Sequence, residues 1–237
     1  MVHPYNERMN VLALETSTEY CSCAIWRDGE IVSRSELAGQ RHSDIILAMI
    51  DGLLNEADLG LKELDGIAFG AGPGSFTGIR IACSVVQGLA LGANLPVIPV
   101  CTLEALAEQA QFEQIAVALD ARLDEVYVAY YRRLGHTWRV EFGPALCSIV
   151  EAPKLSEPGW IGVGSGFAVM DGALGQHLGL NIAHIDERIR PEARAVARLG
   201  ASALARGEAL DAAQAHPIYL RNKVALTIEE RAEQRRT

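Results

Sequence analysis

Residues 69–80, FGAGPGSFTGIR, place four glycines and one proline between an apolar run and a helix rich in small residues. The apolar run predicts a buried strand, and residues 77–93 predict the helix that follows it. Glycine-rich turns from a strand into a helix are typical of phosphate-binding loops in α/β proteins. The stretch therefore favours an α/β fold and raises the question of nucleotide binding.

The loop lacks residues that the two common phosphate-binding loops require. A Walker loop needs a lysine and a hydroxyl residue directly after its last glycine, whereas Ile79 and Arg80 follow Gly78. A dinucleotide-binding loop needs a third glycine where Ser75 stands, and an acidic residue about 20 positions further on, near Asn94. Anion binding at the start of the helix stays open as an alternative to a purely structural turn.

The composition of the loop predicts a rigid elbow that sets the direction of the helix. Pro73 has a fixed φ, and the neighbouring glycines can adopt positive φ without strain. Either Ser75 or Thr77 can cap the helix with its hydroxyl group. The predicted elbow consists of Gly72, Pro73, Gly74, Ser75, Thr77 and Gly78.

The composition narrows the class of protein. No uninterrupted apolar run reaches the roughly 18 residues that span a bilayer, and residues 1–9 lack the apolar core of a secretory signal. We therefore expect a cytoplasmic protein without membrane contact. The five cysteines lack the paired Cys-x-x-Cys spacing of zinc sites, so we expect free thiols and no metal. The net charge of −9 argues against a broad nucleic-acid surface.

The order of predicted elements divides the chain into two lobes. The pattern of residues 10–110 predicts three strands followed by alternating helices and strands. This order of elements predicts a mixed sheet. Residues 111–223 begin again with three strands, and Asp120 follows an apolar segment much as Glu15 does. This indicates an internal duplication, flanked by a leader and by a tail over 224–237.

Two predicted helices of the first lobe are more apolar than one core requires. Helix 43–57, which Ser43 can cap, has almost no polar face in its first half, and this favours a second protein surface. On helix 77–93, Ser84, Gly88 and Gly92 form a nearly bare stripe, explained equally well by internal packing and by a partner helix. The candidate partner contacts are Ile46, Met49, Ile50, Leu53, Arg80, Ser84, Gly88 and Gly92.

The sequence offers few groups for catalysis. Glu15, Thr16 and Ser17 place a carboxylate and two hydroxyls at a strand end, which is similar to the first phosphate loop of actin-like ATPases. We therefore assign them to a vestigial cofactor site. His42 stands alone and is expected to begin a helix rather than to bind a ligand. No arrangement of nucleophile and base is evident.

Six segments resemble, in order, the bacterial TsaB (YeaZ) family: LALETSTEYCSCAI, RHSDIILAMIDGLL, GAGPGSFTGIRIACSVVQGLALG, VIPVCTLEALA, VALDARLDEVYVAYY and PIYLRNK. The match spans residues 10–223, and GPGSFTGIR followed by a small-residue helix is specific to the family. The family is related to the TsaD/Kae family within the actin-like ATPase, sugar kinase and Hsp70 superfamily. The resemblance implies two ribonuclease-H-like lobes.

The resemblance also implies a role in forming N6-threonylcarbamoyladenosine in tRNA. TsaD is the catalytic subunit of that reaction, and a TsaB-type chain is a non-catalytic scaffold and activator. It pairs with TsaD through helices that match 43–57 and 78–93, and TsaE binds at the interface between the two subunits. Alone, it forms a homodimer through the same surface. The resemblance implies no intrinsic cofactor, ATP or ADP at the complex interface, and indirect contact with tRNA.

Two departures favour the non-catalytic role. TsaD binds its metal with a histidine pair on the helix that matches 43–57, and this chain has no histidine within those residues. The family usually has aspartate where Glu15 stands. The alternative is a nucleotide-dependent enzyme of the same fold, such as a kinase or ATPase, or a peptidase-like protein. ATP turnover that is lost in Glu15→Ala would favour that alternative.

Overall fold

A computed structural model describes residues 9–221, which form two five-stranded sheets with helices on their faces. The described strands are β1 (Asn10–Glu15), β2 (Tyr20–Arg27), β3 (Glu30–Leu37), β4 (Gly66–Gly72), β5 (Val97–Cys101), β6 (Gln114–Arg122), β7 (Glu125–Leu134), β8 (Thr137–Ser148), β9 (Trp160–Val163) and β10 (Ile182–Asp186). The α-helices are α1 (His42–Glu56), α2 (Phe76–Ala93), α3 (Thr102–Ala110), α4 (Ala173–Leu178) and α5 (Ala193–Ala205). Residues 1–8 of the predicted leader and the predicted tail 224–237 lie outside the described residues.

The two sheets repeat one topology. The first has the order β3-β2-β1-β4-β5, and the second, read in the matching direction, has the order β8-β7-β6-β9-β10. In each sheet the first three strands in sequence pair antiparallel, the fourth pairs in parallel with the first, and the fifth pairs in parallel with the fourth. This ribonuclease-H-like arrangement confirms the predicted α/β fold with mixed sheets and shows the duplication directly.

The helices and sheets stack in layers. Helices α1 and α2 cover one face of the first sheet, and α5 covers its other face. Helix α3 packs on the second sheet and beside α5, so both helices lie between the sheets. Helix α4 covers the far face of the second sheet. Because the first sheet is covered on both faces, its central strands β1 and β4 are almost wholly buried.

The boundary predicted for the second lobe, 111–223, needs correction. Helix α5 packs on β1, β2 and β4 of the first sheet, although it follows the whole second sheet in sequence. Ala215 is then buried in the core beneath α2, and the Ile218 amide donates to the Ala71 carbonyl at 2.7 Å. The periodicity of α5 shows that it has an apolar side but does not show which sheet that side covers.

Candidate functional site

The elbow begins where β4 ends. Gly72 has φ +113°, and its amide donates to Thr102 Oγ1 at 3.1 Å. The Gly72–Pro73 peptide bond is cis. A Cβ atom on Gly72 would lie 2.7 Å from the Ile218 carbonyl oxygen, so positive φ and close packing both require glycine here.

The elbow then lies directly on the turn that follows β1. A Cβ on Gly78 would lie 1.9 Å from the Thr16 carbonyl oxygen, and a Cβ on Gly74 would lie 2.6 Å from Ser17 Cβ. Thr16 Oγ1 donates to the Gly78 carbonyl at 2.8 Å, and the Ser75 amide donates to the Ser17 carbonyl at 2.8 Å. These glycines therefore allow two backbone segments to touch. The elbow backbone packs directly against the backbone of Thr16 and leaves no space for a ligand between them.

Ser75 occupies the N-cap of α2. Its Oγ accepts a hydrogen bond from the Gly78 amide at 3.3 Å, which satisfies one of the free donors at the start of the helix. Thr77, the other candidate cap, is exposed in the first turn. The elbow thus joins β4 to α2 through a capped junction that is fixed to the turn after β1.

Glu15 is buried beneath this junction. Its Oε1 accepts from the Ser17 amide at 2.5 Å, while its Oε2 has no hydrogen-bond partner among residues 9–221. Glycine at position 70 makes room for the side chain, since a Cβ there would lie 2.0 Å from Glu15 Oε2. Burial raises the pKa of the Glu15 carboxyl above its usual value, and hydrogen bonds from Ser17 and Thr16 offset part of the rise. In the described part of the chain, no group of acidic, cysteine and histidine residues is arranged to hold a metal ion.

The raised pKa of Glu15 predicts a pH-dependent stability difference. Because the folded pKa exceeds the unfolded value of 4.5, ionisation costs stability as the pH rises through and above that value. We expect Glu15→Gln to be more stable than wild type at neutral pH, by roughly 1.4 kcal/mol for each unit by which the pKa is raised. The advantage should vanish at acidic pH. Urea unfolding of both chains across the pH range tests this, and a difference independent of pH would contradict it.

A cleft of about 570 Å³ separates the two lobes in front of the elbow. Ser17 and Ser75 line it from the first lobe, and Asp120 and Arg122 line it from the second. Asp120 already accepts the Arg122 amide at 2.7 Å and pairs with the Arg122 side chain at 3.0 Å. Of the three residues assigned to a vestigial cofactor site, Ser17 alone borders the cleft, whereas Glu15 and Thr16 lie behind it.

Helix α1 begins one residue earlier than predicted. Arg41 occupies the N-cap without a side-chain hydrogen bond, so Ser43 is not the cap. His42 therefore lies in the helix, which contains one histidine rather than none. His42 is buried, and its Nε2 lies 2.9 Å from the Thr18 carbonyl and 3.2 Å from the Tyr20 carbonyl. The side chain fixes the start of α1 to the turn after β1.

The predicted partner contacts on α1 need correction. Ile46, Ile50 and Leu53 are buried in the core of the first lobe, so they have no surface to offer a partner. Met49 is half-buried at the edge of that core. The exposed apolar residues of α1 are instead Leu47, which is 55% exposed, and Ala48. A helix that is apolar on all sides does not reveal which side meets the sheet.

On α2 the bare stripe faces solvent. Ser84, Gly88 and Gly92 are exposed, and apart from the adjoining turns of α2 itself, no atom of residues 9–221 lies within 4 Å of the position a Cβ would take on either glycine. Packing within the described chain therefore does not explain the two glycines. Leu91 beside them is 64% exposed. By length and composition α2 could cross a membrane, yet one side of it packs on β4.

We call the exposed surface of these two helices the outer face. It lies on the side of α1 and α2 that points away from the first sheet. Its exposed residues include Leu47, Ala48, Arg80, Ser84, Gly88, Leu91 and Gly92. Sequence reasoning found the α2 part through the four-residue spacing but missed Leu47, Ala48 and Leu91.

The cysteines are free thiols, as the sequence predicted. Burial raises the pKa of Cys21 to about 12 and that of Cys23 to about 11. Both thiols are therefore protonated at neutral pH and are poor nucleophiles. Cys83 is also buried, while Cys101 and Cys147 are partly exposed.

Comparison with known proteins decides the family. Residues 31–227 match the family model of TsaD, the tRNA N6-adenosine threonylcarbamoyltransferase. The tRNA threonylcarbamoyladenosine biosynthesis protein TsaB of Escherichia coli is 36% identical, and that of Haemophilus influenzae is 38% identical; each alignment covers 92% of this chain and 96% of the relative. This chain belongs to the TsaB (YeaZ) family.

A solved structure agrees with this membership. YeaZ from Pseudomonas aeruginosa superimposes on this TsaB-family chain with a TM-score of 0.82, is 37% identical, and matches over 90% of this chain and all of its own length. The match to the TsaD family model is expected if this chain is a paralogue of TsaD with the same actin-like ATPase fold. The two-lobed architecture of the chain is therefore that of its family.

Proposed function

We propose that the chain is a non-catalytic scaffold and activator subunit for N6-threonylcarbamoyladenosine formation in tRNA. It pairs with a TsaD-type transferase through the outer face, and the pair recruits a TsaE-type subunit. The observation that carries the proposal is the open stripe on α2, where a Cβ on Gly88 or Gly92 would contact no other part of residues 9–221. The names of the relatives, which describe threonylcarbamoyladenosine biosynthesis, supply the reaction.

The shape of the outer face suits a helical partner. Helices pack at interaxial distances of about 8–10 Å, and small residues at the contact permit the shorter end of that range. Gly88 and Gly92 would admit a partner helix closely, while the exposed Leu47 and Leu91 of the outer face would lose their exposure to water. Burial of such side chains contributes about 25 cal/mol per Å² of apolar surface.

The same surface can pair two copies of this chain when the transferase is absent. A homodimer and a heterodimer then compete for the outer face, so added transferase dissociates the homodimer by mass action. The cellular setting that fits this role is the cytoplasm. Contact with tRNA would come through the complex, in keeping with the net charge of −9.

The chain is proposed to bring no cofactor of its own. The elbow backbone occupies the space above Thr16, and the carboxylate of Glu15 is enclosed. ATP or ADP would then bind at the interface of the complex. Nucleotide titration of the isolated chain and of the assembled pair separates these cases, because binding by the isolated chain would contradict the proposal.

Gly88→Leu tests the proposed interface. Gly88 is exposed, and among residues 9–221 a Cβ there would have open space around it, so we expect the variant to fold. The leucine side chain would fill the gap that a partner helix needs, and we expect pairing with the transferase to weaken at least about 100-fold, or about 2.7 kcal/mol. Sedimentation measures pairing, and reconstituted tRNA modification with transferase, TsaE-type subunit and adenylate source measures activity.

Arg194→Leu is the matched control. Arg194 is an exposed residue of α5, which covers the opposite face of the first sheet, so a leucine there should leave pairing and modification unchanged. Normal pairing by folded Gly88→Leu would exclude the outer face as the interface. Modification at the full rate without this chain would exclude the scaffold role altogether.

A further inference from the structure

Arg80 lies at the N-terminal end of the bare stripe, four residues before Ser84, and its side chain is held in place from two directions. Its guanidinium carbon lies 3.4 Å from the centre of the Phe76 ring, which covers one face of the group. Its Nε donates to the hydroxyl of Tyr219 at 2.7 Å, which fixes one edge. An exposed arginine normally samples many rotamers, so this restraint reduces the entropy lost on binding.

Residues far apart in the chain form this arrangement. Tyr219 lies 139 positions after Arg80 and belongs to the segment that crosses from the first lobe to the second. That segment is held by the Ile218 amide on the Ala71 carbonyl and by an ion pair between Arg221 and Glu125 at 2.6 Å. The Tyr219 hydroxyl is therefore anchored to both lobes.

The remaining donors of Arg80 are free for a ligand. Its two terminal nitrogens have no acceptor in the described part of the chain, and no carboxylate there pairs with it. Most other arginines in the described part of the chain pair with a carboxylate, so an arginine held in place without an acidic neighbour is unusual here. The terminal edge of a guanidinium matches the two oxygens of a carboxylate.

We propose that Arg80 is a preorganised anchor for an aspartate or glutamate side chain of the subunit that docks on the outer face. The inference rests on the proposed function and adds the chemistry of the partner. Arg80, Ser84, Gly88 and Gly92 share one four-residue row, so the anchor is continuous with the bare stripe. A tRNA phosphate is the other anion that could bind, and the net charge of −9 disfavours it.

The test is the affinity of the full chain for the transferase at several salt concentrations. Arg80→Ala should weaken pairing about 10- to 100-fold and flatten its salt dependence, because a charge-assisted hydrogen-bonded pair is lost. Arg80→Lys keeps the charge without the planar group and should recover part of the affinity. Tyr219→Phe keeps the ring but removes the acceptor, so we expect a loss of about 3- to 10-fold.

Arg194→Ala is the control, since it removes an exposed arginine from α5 and should change neither affinity nor salt dependence. If Arg80→Ala lowers only the melting temperature while affinity and salt dependence stay at wild-type values, Arg80 merely holds Tyr219 and the anchor is excluded. A loss confined to tRNA binding would assign the phosphate instead. Failure of the wild-type chain to pair at all would overturn the proposed function, and the anchor with it.

Discussion

Gly78→Ala is expected to lower the free energy of unfolding by about 3–5 kcal/mol, which is among the largest effects of a single substitution. The added Cβ would lie 1.9 Å from the Thr16 carbonyl oxygen, so either α2 or the turn after β1 must move. Movement would break the hydrogen bond from Thr16 Oγ1 to the Gly78 carbonyl. Neither backbone segment can rotate away as a flexible side chain would.

Gly88→Ala provides the matched control in the same helix. Its Cβ would contact nothing else in the described part of the chain, and alanine is favoured over glycine in a helix interior by about 1 kcal/mol. The same glycine-to-alanine substitution should therefore lower the free energy of unfolding at position 78 and raise it at position 88. Guanidinium unfolding of the three purified chains measures both effects. Equal stability of Gly78→Ala and wild type would show that the elbow is not packed as described.

Glu108→Ala is expected to cost about 3 kcal/mol of stability. The Glu108 carboxylate is largely buried and accepts from Arg133 Nη2 and Trp138 Nε1, each at 3.1 Å. It also pairs with Arg198 of α5 at 3.2 Å. Glu108 thus joins α3, α5 and the second sheet. Its removal leaves two partly buried guanidinium groups without their carboxylate.

Glu141→Ala is the control for Glu108→Ala, because it removes a carboxylate that pairs with two arginines at the surface rather than in a buried site. Glu141 also accepts from two arginines, Arg132 at 3.0 Å and Arg139 at 2.9 Å, but this group lies at the surface. Solvent-exposed pairs contribute less than about 1 kcal/mol each, so its loss should be small. Thermal unfolding of both variants gives the comparison. A loss for Glu108→Ala no larger than that for Glu141→Ala would mean that Glu108 does not connect the lobes.

The glycines around the elbow show why its sequence resembles a phosphate loop. Backbone that must approach a phosphate and backbone that must approach another backbone both require residues without a Cβ. Here Gly74 and Gly78 face Ser17 and Thr16 of the same chain. The sequence is compatible with either use, and the three-dimensional contacts distinguish them.

The sequence by itself determined the α/β class, the mixed sheets, the duplicated order of strands and the elbow before α2. Hydrophobic periodicity and turn chemistry are local properties, so a single stretch such as 69–80 contains them completely. The spacing of Ser84, Gly88 and Gly92 is equally local. For that reason the α2 half of the outer face was visible in the sequence.

Tertiary structure decided which surfaces meet. The sequence of α1 did not show that Ile46 faces the sheet while Leu47 faces solvent, because these two adjacent residues are similarly apolar. It did not show that α5 returns to the first sheet, or that Tyr219 reaches Arg80. These contacts join residues far apart in the chain, and their energies depend on geometry that local patterns do not encode.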